Sequence, residues 1–256
     1  MPELLDLVAG ATIALDKPLT WSSFSLVNKF RCEACRYLGI KKLKVGHAGT
    51  LDPLATGVMI LCTGKHTKRI DELQAGRKEY IADIRLGQTT PTFDLETEPD
   101  AYFPTEHITR EAVEEVLKSF IGTIEQVPPA FSAVKVDGRR AYDLARKGRD
   151  FELKAKTLVI DELELLDYDL PHLRIRVVCS KGTYIRALAR DIGTALGSGG
   201  HLTALQRTRV GDFTLDQCFR VEDIQAFLRE HVAPRSDEEN KNEPTLKTEL
   251  DRNEGY

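Results

Sequence analysis

The chain has 256 residues, is 41% hydrophobic and carries a formal net charge of −4, a length that supports one main domain burying about 70% of the unfolded surface. No run approaches the ~20 apolar residues of a bilayer span, and Met1-Pro2-Glu3 lacks the basic start of a signal peptide. A membrane or exported protein is therefore excluded, and a cytoplasmic one is expected.

Residues 9–15 read as a strand. Residues 21–38 read as a helix with Phe24, Val27, Phe30 and Leu38 on a helical period and Ser22 or Ser23 as its cap. Of the five scattered cysteines, only Cys32 and Cys35 form a close pair, inside that helix. No second Cys or His pair stands at ligand spacing, so reduced helix thiols are expected and no metal. Residues 58–62 form a short apolar strand, followed by a helix over 66–73 that ends at Gly76. Residues 80–86 are a strand. Residues 109–120 are an amphipathic helix with Thr109 as N-cap and Gly122 past its end.

In the second half, strands at 157–166 and 173–179 flank a Leu170-Pro171 turn. Thr183 is placed as the cap of a helix running to Leu196, stopped by Gly197-Ser198-Gly199-Gly200. Residues 201–215 read as a strand and 221–229 as a last helix. Strands joined by short turns, with helices at intervals and no regular βαβ alternation, predict an α+β fold on a mixed, largely antiparallel sheet flanked by helices. Residues 233–256 carry a net charge of −3, which leaves −1 for residues 1–232. The first 232 residues are read as the catalytic domain and the rest as a disordered acidic tail; a nearly neutral domain can still present a basic face to RNA.

The most informative stretch is Val45-Gly46-His47-Ala48-Gly49-Thr50-Leu51-Asp52-Pro53-Leu54-Ala55-Thr56-Gly57. Gly46, Gly49, Pro53 and Gly57, all tied to backbone shape, surround an acid whose neighbours Leu51, Leu54 and Ala55 cannot solvate it. Burying that charge is costly unless it is paired, so Asp52 needs a partner. An isolated Asp-Pro is more often a turn acid bonded to nearby amides. Other signatures fail on spacing. Gly64-Lys65-His66-Thr67 is not a phosphate-binding loop, and no H-E-x-x-H, G-x-S-x-G or G-x-G-x-x-G occurs. Nothing nominates the second carboxylate of a glycosidase.

The segment from His47 to Gly57 resembles the active-site motif of the TruB family of tRNA pseudouridine-55 synthases, in the bacterial form ending Asp-Pro-Leu-Ala-Thr-Gly. Lys17-Pro18, Lys78-Glu79-Tyr80, Val127-Pro128-Pro129-Ala130-Phe131-Ser132-Ala133 and Cys179-Ser180-Lys181-Gly182-Thr183-Tyr184-Ile185-Arg186 resemble family blocks in family order, over roughly residues 10–215. The resemblance implies the pseudouridine synthase fold and isomerisation of the T-loop uridine at position 55 of tRNA. That reaction breaks the N1 glycosidic bond, turns the uracil and rejoins it through C5, with no cofactor, metal or guide RNA. It needs a carboxylate, a surface for the loose base, a cation to orient the acid, and walls that exclude water.

By the same resemblance Asp52 is the catalytic aspartate, Tyr80 stacks on the flipped uracil, and Tyr184 is the second pocket tyrosine. Such stacking is worth about 1–3 kcal/mol per base. Arg186 pairs with Asp52, Leu205 closes the pocket, His47 helps to flip the nucleotide, and Lys17 and Lys181 are expected to contact substrate. Read from the residues alone, Tyr80 and Leu205 are equally core side chains, Arg186 a helix-surface partner of Asp191, and His47 a histidine satisfying loop backbone. Ala48 and Thr50 depart from the residues common in bacterial relatives, at positions that do not carry the reaction. Many relatives continue into a small C-terminal RNA-binding domain of the PUA type, for which this chain has no room.

From Lys135 to Lys156 eight bases face four acids, and Arg174, Arg176, Lys181, Arg190, Arg207 and Arg209 add bases near the helix after residue 183, together expected to form a face that tracks phosphates without reading sequence. Two rival readings remain. A guide-RNA-dependent synthase is opposed by the Pro-Leu-Ala-Thr-Gly ending and the missing C-terminal domain. A tRNA-binding folding helper would make modification secondary. The partner is tRNA, through its T arm, and a monomer is the default.

Overall fold

The computed structural model describes residues 4–132, 134–136, 138–148 and 151–235, with the side chains of Lys135, Val136 and Arg140 left aside. The tail from residue 236 onward and Arg149 of the basic segment lie outside the described residues, so the expected disorder is not addressed by them.

In chain order the elements are β1 Thr12–Lys17, α1 Ser23–Leu38, β2 Val45–His47, β3 Ala55–Thr63, α2 Ile70–Ala75, β4 Lys78–Leu86, β5 Gln88–Thr89, β6 Ala101–Tyr102 and α3 Arg110–Ser119. They continue with β7 Gly122–Gln126, β8 Lys135–Val136, β9 Arg139–Arg140, α4 Ala141–Ala145, β10 Lys156–Asp169, β11 His172–Cys179, α5 Ile185–Ala195, β12 Gly200–Val210, β13 Phe213–Thr214 and α6 Ile224–His231. The main sheet runs β1-β3-β12-β4-β11-β10-β7, with β2 added to β3 and β13 to β12. Every pairing in it is antiparallel except β12 with β3, so the sheet is mixed, as the sequence predicts.

That one parallel pairing positions the site. β12 enters between β3 and β4, which sets Leu205 opposite both Ala55 and Ala82, and Arg207 opposite both Gly57 and Tyr80. The approach is close enough to require glycine: Gly57 has φ +104, and a Cβ there would stand 2.2 Å from the Arg207 carbonyl oxygen. β3 is apolar almost throughout because both faces are covered. Met59 and Leu61 pack with Leu26 and Phe30 of α1 and Phe227 of α6, while Val58, Ile60 and Cys62 pack with Ala48 and Val210. A further cluster joins β4, β11, α3 and α5 through Ile84, Ile175, Leu117 and Leu188.

Local signals hold where the partner is local. Ser22 caps α1 by accepting from the Ser25 amide at 3.0 Å, and Gly39 ends it at φ 65. Thr109 caps α3, and Gly122 follows at φ 100. Several expectations are corrected. Phe24 is 68% exposed: it stands six residues before Phe30, about 120° around the helix from the buried stripe. The segment expected to be helical from residue 66 is a 3₁₀ turn over Gly64–Arg69 before α2 begins. The strand expected over 201–215 breaks at the Gly211 turn between β12 and β13. Thr183 does not cap α5; its hydroxyl donates to the Ser180 carbonyl at 3.0 Å. Tyr184 occupies the cap position, and its amide donates instead to Gln126 Oε1 from β7 at 2.9 Å. Cys32 is exposed and Cys35 half-buried on α1.

Candidate active site

Asp52 lies in the loop between β2 and β3, and the start of α1 anchors that loop. Ser23 donates from its hydroxyl to the Leu51 carbonyl at 2.9 Å and accepts from the Leu51 amide at 2.8 Å. The Thr20 amide donates to the Pro53 carbonyl at 2.8 Å, and Thr20 itself sits at φ 69. Flanked on both sides, the carboxylate is held in place while its side chain stays 37% exposed.

Its partner arrives from the second residue of α5. Arg186 Nε donates to Asp52 Oδ2 at 2.8 Å, Nη1 to the Thr92 carbonyl at 3.1 Å, and Nη2 to the Phe131 carbonyl at 3.0 Å. The Arg186 side chain is only 6% exposed. Asp191, the alternative partner read from sequence, pairs with Arg190 instead. Sequence reasoning missed a second acid: Asp94 Oδ2 stands 3.7 Å from Arg186 Nε, and its side chain is 7% exposed. The loop around Asp94 is built to carry it. Thr90 donates to the Asp94 carbonyl, the Glu96 amide donates to Asp94 Oδ1, and the Leu202 amide of β12 donates to the Phe93 carbonyl. Phe93 holds φ 62 and lies 4.9 Å beneath the Arg190 guanidinium. A lone Asp in a Thr-rich loop carries no distinguishing sequence signal, and only its meeting with Arg186 reveals it.

Asp52, Asp94 and Arg186 open into a pocket whose other walls are Leu54, Ala55, Leu95 and residues 202–205 of β12. Leu205 is therefore in the wall, and a register shift between Leu202 and Ala204 turns Thr203 into it. The arrangement sets an oriented carboxylate oxygen, still reached by solvent, against apolar walls, which suits nucleophilic or proton-transfer chemistry.

Tyr80 does not line that pocket. It is 8% exposed and packs in the same core as Leu51 and Ala55. Burial raises the pKa of its hydroxyl, and the neighbouring Arg207 guanidinium works against that rise. Tyr184 is half-buried; burial and the Asp52 charge raise its pKa, while Arg186 opposes them. The Gln126 side chain grips the Tyr184 main chain on both sides, donating to its carbonyl at 3.2 Å as well as accepting from its amide. His47 in β2 has a buried Nδ1 with no partner among the described residues, and burial lowers its pKa, opposed by a hydrogen bond with the Gly49 backbone. Lys181 is exposed on the turn before α5.

Lys17, expected to contact substrate, is corrected by its surroundings. It is 0% exposed, and its ammonium donates to the carbonyls of Trp21 at 2.7 Å, Pro18 at 3.0 Å and Pro53 at 3.4 Å. All of its donors are directed inward, so it braces the Asp52 loop from behind. Desolvation pulls its pKa down to about 8, and the Asp52 charge partly resists this.

No helix among the described residues is long and apolar enough to cross a membrane. The model of the TruB family pseudouridylate synthase N-terminal domain matches residues 36–185, and that of the tRNA pseudouridylate synthase B C-terminal domain matches 186–250. The boundary between the two models falls inside α5, next to Arg186. The tRNA pseudouridine synthase B of Parabacteroides distasonis is 67% identical over 234 residues, covering 91% of this chain and all of that one. The protein of the same name from Mycobacterium ulcerans is 48% identical, covering 83% of this chain and 70% of that one. Among solved structures, chains of a Cbf5-Nop10-Gar1 complex and of the archaeal box H/ACA sRNP Nop10-Cbf5 complex superpose with TM-scores of 0.65 and 0.61, at 28% and 25% identity. These cover 90% of this chain, which spans 61% of the length of those chains. With the paired aspartate, the mixed sheet and two family models that together run from residue 36 to residue 250, the chain belongs to the TruB family of pseudouridylate synthases.

Proposed function

We propose that the protein isomerises the T-loop uridine at position 55 of tRNA to pseudouridine, acting alone on the T arm without guide RNA. The observation that carries this reading is the Asp52 carboxylate, paired to a buried Arg186 at 2.8 Å and opening into a mostly apolar pocket lined in part by Leu205. The names of its full-length relatives, tRNA pseudouridine synthase B, support the substrate class.

In this proposal Asp52 starts the reaction, as nucleophile or base at the sugar or at C6, and Arg186 keeps it aimed. Tyr80 and Tyr184 serve the base, Tyr80 by stacking once the flipped uracil enters. Extruding that base costs a few kcal/mol, which stacking of about 1–3 kcal/mol offsets. His47, neutral through burial, packs against the displaced nucleotide, and Lys181 meets a phosphate near the mouth. Residues 1–232 form the catalytic unit, acting as a monomer in the cytoplasm.

The test is single-turnover conversion of an unmodified tRNA transcript, read by mass spectrometry of the T-loop fragment, for wild type and Asp52→Asn side by side. Conversion at the T-loop uridine by the wild type alone, with no guide RNA or metal added, is the expected outcome. Tight binding of the transcript by both proteins with conversion by neither would refute the reading in favour of a tRNA-binding folding helper.

A further inference from the structure

Arg207 is among the most deeply buried large side chains of the described residues, at 1% exposure in the centre of the sheet. A guanidinium in such a place ordinarily pairs with a carboxylate, yet among the described residues its hydrogen bonds go to main-chain carbonyls, with the Tyr80 hydroxyl beside it. Nε donates to Val58 at 2.8 Å, Nη2 to Gly49 at 3.2 Å and Nη1 to Thr50 at 3.4 Å. An aliphatic side chain would fill a central strand position at far lower desolvation cost, so stability alone does not explain an arginine there.

The three carbonyls have one thing in common. Gly49 and Thr50 lie just before Asp52, and Val58 lies just after its loop has re-entered β3. One planar fork therefore bridges the two ends of the segment that carries the carboxylate, while Lys17 holds its middle through Pro53. β12 also sets Arg207 opposite Tyr80 in β4, and the guanidinium acts on the Tyr80 hydroxyl.

We propose that Arg207 is a positioning residue for the reaction, fixing the Asp52 segment from beneath through the carbonyls of Gly49, Thr50 and Val58. The inference rests on the function proposed above for Asp52. Lysine in its place keeps the charge but is a single point donor, and lacks the planar fork whose Nε meets Val58 while Nη1 and Nη2 meet Thr50 and Gly49 at the other end of the segment.

The test compares the full chain with Arg207→Lys and Arg207→Gln. Hydrogen exchange of residues 49–58 reports the segment directly, since the Leu51 amide is bonded to Ser23 Oγ and the Ala55 amide to the Asp52 carbonyl. Single-turnover rate and Kd for an unmodified tRNA transcript report its consequence. In both variants exchange over 49–58 is expected to accelerate while that of α3 stays unchanged. The single-turnover rate is expected to fall about 100-fold with Kd nearly unchanged, the cost of an ångström-scale displacement of a catalytic group. A folded variant with wild-type exchange over 49–58, or with wild-type turnover, overturns the proposal. So does faster exchange across the whole chain, or failure of both variants to fold, because Arg207 would then serve the core alone. If the wild type converts no tRNA, the proposed function fails while the exchange measurement still decides whether Arg207 holds the segment.

Discussion

Arg186→Lys preserves a positive charge and removes a fork, and the geometry gives the size of the loss. The wild-type guanidinium serves Asp52 Oδ2 at 2.8 Å, the Thr92 carbonyl at 3.1 Å and the Phe131 carbonyl at 3.0 Å, with Asp94 Oδ2 at 3.7 Å. An ammonium on a flexible stem cannot serve these divergent acceptors together. If it follows the carboxylates, the buried Thr92 carbonyl loses its donor at about 1–3 kcal/mol and the part-buried Phe131 carbonyl at about 1 kcal/mol, together about 2–4 kcal/mol. That is a large share of a domain's usual 5–15 kcal/mol or so of stability. If it follows the carbonyls, Asp52 loses both its partner and its aim, and a displacement of about 1 Å lowers the chemical step about 100-fold. Either route leaves a folded but slow or a destabilised enzyme. Single-turnover pseudouridine formation, tRNA Kd and thermal unfolding, measured together, separate the two. Turnover within about threefold of wild type, with an unchanged melting temperature, would refute the claim that the fork is what the site requires.

Three further outcomes are expected. Gly57→Ala places a Cβ 2.2 Å from the Arg207 carbonyl oxygen at φ +104; it should destabilise the fold by about 3 kcal/mol or more, checked by urea unfolding. Gln126→Leu leaves the Tyr184 amide without its partner, while the carbonyl keeps the Leu188 amide, which should cost about 1–3 kcal/mol and lower turnover as the start of α5 shifts. An unchanged melting temperature would count against that role. Lys17 is charged in the unfolded chain up to about pH 10.5, but in the fold only to about 8. The unfolded state therefore binds more protons across that window, and the wild type should gain stability relative to Lys17→Met as pH rises from about 8 to about 10.5. Parallel unfolding curves for the two proteins at pH 7.5 and pH 10, with no change in their difference, would show that Lys17 is not desolvated as described.

The sequence by itself determined what depends on near neighbours. Ser22 and Thr109 announce their helices because a cap bonds an amide three residues on, and Gly39 and Gly122 end elements because left-handed backbone favours glycine. The glycine and proline spacing around Asp52, with the ordered blocks further on, was legible as a resemblance and nominated Asp52 and Arg186 before any geometry was known. Tertiary structure alone decided which distant charges meet. Asp94 faces Arg186 only because the loop after β5 folds back against α5 and β12. Gln126 holds the Tyr184 main chain because β7 ends beside it. Lys17 and Arg207 turn inward because β1 and β12 carry them beneath the Asp52 loop, Lys17 behind Pro53 and Arg207 between β3 and β4. These placements depend on sheet order and register between segments from 36 to 158 residues apart, and a register slip of one residue sends a side chain to the opposite face. No local pattern encodes that register, so the buried cations beneath the aspartate could be recognised only once the sheet was assembled.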